Sequence, residues 1–197
     1  MYRPEAFRLD DRQTLLAHVT AHPFATVITR PDDSLTVSHL PLLVDPERGV
    51  LRGHLARENP QFGDFAAGAP TVAIFHGPHA YVSPSVYEEH PSVPTWNYVV
   101  VHARGHGRLV DEPGLRTILD QLVDRFDPTG WRLDAPEDYV RGAIGAIAGF
   151  EILIEQLEGK WKLSQNRSLV DQKRVVAWLE GRDEGSRAVA ALMRSRF

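Results

Sequence analysis

The alternation of apolar and polar positions divides this chain into short extended runs separated by turns, with helical patterns at the start, middle and end. Phe24–Thr29 is β-branched and apolar, and Pro31-Asp32-Asp33-Ser34 then forms a turn. Leu35–Val44 is a second extended run, closed by Asp45-Pro46-Glu47-Arg48-Gly49. Val50–Leu55 is a third. Pro70–Phe75 and Ala80–Ser83 read as two strands about a turn at His76-Gly77-Pro78-His79. Thr95–Val110 is a long strand. Val99, Val101, Ala103 and Gly105 share one face, and His102, Arg104, His106 and Arg108 share the other, so one side is buried and one is wet or functional. Gly149–Leu157 is the last strand and leads into Gly159–Asn166.

Helical spacing follows Asp10-Asp11 through Leu15, Leu16 and Val19 to His22-Pro23. A short helix runs from Pro60 to about Ala67. Glu112-Pro113 opens another through Phe126, Pro136–Ile144 is a further short one, and Val170–Leu179 and Glu184–Arg194 finish the chain. Six or seven strands joined mostly by tight turns predict an antiparallel sheet that closes on itself. The expected fold is α+β: one barrel domain over residues 1–197, with a helical insertion at about 112–145 and C-terminal helices at about 168–195.

Composition narrows the function classes. The 197 residues are 43% hydrophobic and 24% charged, as in a globular domain with a real core. No apolar run reaches the ~20 residues of a membrane span. Met1-Tyr2-Arg3-Pro4-Glu5 has no apolar signal core, so a cytoplasmic location is expected. Cysteine is absent, which excludes disulfides and thiolate metal sites. A net charge of −4 is a poor footprint for duplex DNA, and the arginines of the C-terminal helices are interrupted by acids.

Several chemistries fall away on inspection. The nine histidines come without clustered carboxylates or a regularly spaced third ligand, so no metal site is expected. There is no Gly-x-Ser-x-Gly elbow, and Gly105-His106-Gly107 lies inside a strand, which argues against a Rossmann site. Three segments remain. Gly53–Pro60 is a strand-to-helix junction in which Asn59-Pro60 starts a helix and Arg57 stands ahead of its first-turn amides, a candidate phosphate pocket. Pro94–Tyr98 places Trp96, Asn97 and Tyr98 at the head of the long strand, suited to the wall of a flat aromatic ligand. Lys160–Asn166 offers lysines and then Ser, Gln and Asn side chains that both donate and accept. Taken singly, each also reads as a surface arginine, core aromatics or a polar turn.

In combination the chain resembles the PaiB-type family of FMN-binding negative transcriptional regulators. The resemblance rests on Met1-Tyr2-Arg3-Pro4 with Phe7, His39-Leu40-Pro41, Gly53–Arg57 with Asn59-Pro60-Gln61, Phe75–Pro84, Val93–Tyr98 and Lys160–Asn166. These phrases keep their order from residue 1 to about 180. Phe62 and Val86 stand where the family pattern leads one to expect tryptophan. The resemblance implies a split β-barrel shared with pyridoxamine-phosphate oxidases and flavin reductases, and a homodimer with FMN in clefts at its interface. Carried over by position, Arg57 with His54 would hold the phosphate, near His39, Leu55, Ala56 and Asn59. Trp96, Asn97, Tyr98 and Lys162 would lie near the ring, with Gln165 and Asn166 supplied by the partner chain. The implied function is an FMN-binding negative transcriptional regulator with a flavin-linked redox or sensing role. The alternatives are a flavin-dependent oxidoreductase without direct DNA binding and a haem-binding barrel. No catalytic side chain is named.

Overall fold

Phe24–Thr29 and Pro70–Phe75 form strands whose side chains alternate between a dry and a wetter face, whereas Ala148–Ile152 is buried on both. A computed structural model describes residues 1–197. The strands are β1 (Arg8–Leu9), β2 (Phe24–Thr29), β3 (Thr36–Pro41), β4 (Leu43–Asp45), β5 (Val50–Ala56), β6 (Pro70–Val82), β7 (Thr95–Leu109) and β8 (Ile147–Lys162). The helices are α1 (Arg12–Ala21), α2 (Gln61–Ala66), α3 (Glu112–Phe126), α4 (Glu137–Gly145), α5 (Leu169–Glu180) and α6 (Glu184–Arg194). The strands form one curled antiparallel sheet in the order β3-β2-β6-β7-β8-β5-β4, with β1 added against β8.

Three boundaries differ from the periodicity. His76–His79 is not a turn, because β6 runs unbroken from Pro70 to Val82. The β2 ladder on β6 ends at Ile74, so Pro78 falls beyond it and its missing N–H breaks no bond there. The run Leu35–Val44 splits into β3 and β4 at Leu42, whose side chain is buried and whose N–H donates to Pro23 O at 2.9 Å. β8 continues through Lys162 because the two-residue strand β1 pairs with Gly159 and Lys160. A strand that short leaves no periodic signal.

Contacts cluster into two compact units, and β6, β7 and β8 contribute residues to both. The larger unit comprises Leu16–Phe75 and His102–Leu157. Its interior holds Val27, Leu51, Phe65, Phe75, Ala103 and Ile152, and the Phe65 and Phe150 rings stack with centroids 4.3 Å apart. The smaller unit comprises Met1–Leu15, His76–Val101 and Glu158–Phe197. There α5 and α6 pack Val175, Leu179, Val189 and Met193 against Val82, Tyr87, Val99 and Leu163. Ser168 and Asp183 cap these helices, accepting from the N–H of Asp171 and Ser186 respectively.

Two features of the larger unit fix the approach of its strands. Gly105 of β7 faces β8 so closely that a Cβ would lie 1.7 Å from Leu153 O. Glu151 of β8 is 3% exposed and accepts from Arg48 at 2.6 and 2.9 Å and from Arg108 at 2.9 Å, with Arg52 Nε at 3.6 Å. Burial alone would raise its pKa, but the hydrogen bonds from Arg48 and Arg108 outweigh it and hold the carboxyl below its ordinary value.

Replacing Gly105 by alanine is expected to cost about 2–3 kcal/mol in urea unfolding, because the obstacle is backbone that cannot turn aside. Gly142 in α4 has nothing within 4 Å of an added Cβ, so its alanine variant should be neutral or gain up to about 1 kcal/mol. Glu151→Gln should cost about 1–2 kcal/mol at pH 7, because Arg48 and Arg108 stay in water and Arg52 alone is left buried without its carboxylate. Because the folded pKa is lowered, the carboxylate's contribution is complete above the ordinary value of 4.5 and is lost as pH falls through the folded value. The gap between wild type and variant should therefore close in acid; a gap unchanged from pH 7 to pH 3 would contradict this.

Candidate functional site

The chain leaves β5 at Ala56, and the Arg57 N–H continues the ladder by donating to Ala146 O at 3.0 Å. It then turns on Asn59, whose Oδ1 accepts from Gln61 N at 3.0 Å while its Nδ2 donates to Ser38 Oγ at 2.9 Å. Gln61 is fully buried and locks the start of α2 by donating to Val27 O, Thr29 Oγ1 and Thr36 O. The cap on Asn59 forms as the sequence indicates, but the expected free amides do not exist. Pro60 has no N–H, Gln61 is taken by Asn59 Oδ1, Phe62 by Asn59 O and Gly63 by Pro60 O. A helix of six residues also has little dipole to offer. Anion affinity at this junction rests on side chains.

Arg57 supplies it. Its guanidinium lies over the Phe62 ring at 5.4 Å and forms no ion pair. It lines a cavity of about 160 Å³ together with Arg141 of α4, Asp111, Glu112 and Ile144. Both acids are committed elsewhere: Asp111 caps α3 by accepting from Gly114 N at 2.9 Å, and Glu112 pairs with Arg116 at 2.9 Å. Arg141 reaches only Asp138, at 4.0 Å and exposed. The cavity has the room of about five waters, at ~30 Å³ each, and of its charged lining groups only the two arginines keep donors free for an anion. These residues fit the phosphate end of FMN. Arg141 carries no local signal in the sequence; only the packing of the helical insertion brings it here.

The other expected contacts in this unit separate. His54 points away from the barrel interior, yet its Nδ1 is buried without a partner, and burial lowers the ring's pKa so that it is neutral near pH 7. It lines a different cavity from Arg57, with Ile144 common to both. The structure thus places His54 and Arg57 in the linings of two adjoining cavities, with His54 neutral near pH 7. Leu55 is 3% exposed and faces the barrel core, whereas Ala56 is exposed. His39 is exposed on β3, with Nδ1 3.2 Å from Thr26 Oγ1.

In the smaller unit the aromatic and polar candidates divide by exposure. Trp96 is 53% exposed, edge-on to Tyr81 at 6.0 Å and 6.1 Å from His79. Lys162 donates to Trp96 O at 2.6 Å and to Thr95 Oγ1, and its pKa is lowered by burial and then by Lys160 and Arg167. Tyr98 is half-buried under the Lys160 ammonium at 5.4 Å, and Asn166 is exposed. Asn97 and Gln165 face inward. Asn97 is completely buried, donating to Ser164 Oγ at 2.9 Å, and this supports Ser164 at a left-handed φ of 63°. Gln165 spends both ends of its amide, accepting from Leu163 N and donating to Trp161 O. Both residues brace the turn after β8, Asn97 from the interior and Gln165 from a half-buried position.

Comparison with known proteins shows the family and the fold. A family model described as "Putative FMN-binding domain" matches residues 1–156. The "Protease synthase and sporulation protein PAI 2" of Bacillus subtilis is 30% identical over 205 residues, covering 100% of this chain and 98% of its own. Among solved structures, the flavocytochrome Anf3 of Azotobacter vinelandii superposes with a TM-score of 0.67 at 18% identity, covering 82% of this chain and 72% of its own. The FAD and heme binding protein of Mycobacterium smegmatis gives 0.64 at 19% identity, covering 79% and 73%. These two likenesses establish the split-barrel fold. The chain belongs to the PaiB-type family of FMN-binding split-barrel proteins, and FMN is the cofactor that goes with that family.

Proposed function

We propose that this chain binds FMN with its phosphate against Arg57 and Arg141, and works as a cytoplasmic homodimer in flavin-linked redox or sensing. The observation that carries the reading is the unpaired Arg57 guanidinium in a phosphate-sized cavity whose acids are already engaged. A planar guanidinium can bind two phosphate oxygens at once, and Arg141 adds a second cation. Asn59 and Ser38, bonded to one another, hold the turn on which Arg57 sits. Trp96, Tyr98, Lys162 and Asn166 are the ring-side contacts in this proposal, presented by the second protomer. When bound, the flavin supplies hydride and electron chemistry, and the protein's part is binding, orientation and exclusion of water.

We further propose a role in negative regulation of transcription, downstream of the flavin. The C-terminal arginines do not form a free basic face: Arg182 lies over Trp178 at 4.4 Å, Arg194 pairs with Glu180, and Arg174 donates to Val86 O. That favours regulation through flavin state over direct DNA reading. The absorption spectrum of the purified protein separates flavin from haem, since only haem gives an intense Soret band.

Arg57→Ala should weaken FMN by 10- to 100-fold, the ~1.5–3 kcal/mol of a charged hydrogen-bonded contact, and riboflavin by no more than about two-fold. Titration of each ligand against tryptophan fluorescence measures both. Equal losses for the two ligands would remove Arg57 from the phosphate.

A further inference from the structure

A cavity of about 800 Å³ in the larger unit is lined by α3, the 127–136 segment and α4, and it adjoins Arg57's cavity at Ile144. Its walls include Leu122, Phe126, Trp131, Leu133 and Ile147, with His54 in the lining. Phe126, Trp131 and Leu133 are 45%, 50% and 50% exposed, a concentration of apolar surface that a closed core would have covered. The size and concavity suit a small organic molecule enclosed by one chain, rather than the flat contact of another protein.

The charges around this cavity restrict what enters. Arg116 is paired with Glu112 at 2.9 Å, and Arg132 with Asp124 at 2.5 Å. Asp127 accepts from Thr129 N at 2.7 Å, and Asp120 is exposed to solvent. His54 is neutral near pH 7, because burial disfavours its cation. An anionic ligand would lose its hydration here, find both arginines already paired and face Asp120 and Asp127, whereas an uncharged one loses only apolar contact with water. Arg57's cavity has the opposite character.

We propose that this cavity is a second ligand site, separate from the phosphate pocket at Arg57, which takes a small uncharged molecule of aromatic size. The helical insertion thereby gives the protein a receptor for an apolar compound alongside its flavin.

A matched pair of fluorescent probes tests this on the full-length protein. N-phenyl-1-naphthylamine is uncharged, and 8-anilinonaphthalene-1-sulfonate has the same ring framework with a sulfonate added. The uncharged probe should bind one per chain and at least ten-fold more tightly than the sulfonate, the cost of stranding a charge. Its emission should be excited through Trp131 and fall in Trp131→Phe. Leu133→Asp and Ala143→Trp, both at exposed lining positions, should each weaken it at least ten-fold while FMN affinity stays within two-fold. Retained FMN affinity and an unchanged melting curve show that either variant is folded. Equal binding of the two probes, indifference to both substitutions, or displacement of the probe by FMN would each overturn the proposal. Probe binding that persists in a protein unable to bind FMN would support this site while ending the reading given to Arg57.

Discussion

The antiparallel pairing of β5 with β8, from Val50 opposite Leu153 to Ala56 opposite Ile147, is the contact on which the rest of the structure depends. It joins segments roughly a hundred residues apart, so it must repay a loop-closure entropy that local hairpins avoid. The same pairing delivers Arg57 to Ala146, directly after α4, and so sets Arg57 beside Arg141. It also lays α3 over β5, where Arg52 donates to Gln121 at 3.0 Å, and so roofs the two cavities. A slip of one residue in this register would turn Leu51, Gly53 and Leu55 outward and His54 inward, abolishing core and site together.

Charge is allocated in a consistent way around that pairing. Glu151 serves three arginines, Asp111 caps α3, and Glu112 is held by Arg116. The two carboxylates lining Arg57's cavity, and Glu151 on β8, are thereby assigned structural tasks. What is left over is a guanidinium without an acid partner, next to a helix that contributes a second. In the neighbouring cavity both arginines are paired and the walls are mostly apolar. Two cavities that share Ile144 thus differ both in their lining and in which charged groups remain available.

The positions of most elements were legible from periodicity alone: β2, α3 and α6 begin and end where the pattern of Phe24–Thr29, Glu112–Phe126 and Glu184–Arg194 places them. So were the two faces of β7, with Val99, Val101 and Ala103 buried and His106 and Arg108 exposed. The resemblance carried by Gly53–Gln61 and Lys160–Asn166 pointed to the family and its FMN. The individual site residues were less legible. Asn97 and Gln165 look like ligand contacts in the sequence, and in the structure each amide bonds within the chain, Asn97 of β7 to Ser164 and Gln165 to Leu163 and Trp161. Polar side chains bond to whatever folding brings nearest, and residue type does not say whether that partner is a ligand or the chain's own backbone.

Sequence by itself determined what depends on near neighbours: where helices start, which residues alternate, the lack of thiol chemistry, and the motif phrases of an FMN-binding family. The tertiary structure decided which donors remain free. The first-turn amides of α2, attractive as an anion nest on paper, are closed by Asn59 and its carbonyl, whereas Arg141, unremarked in its helix, comes to stand beside Arg57. The reason is that a hydrogen-bonding group is defined by what is left unpaired after folding, and that remainder is a property of contacts between segments far apart in the chain.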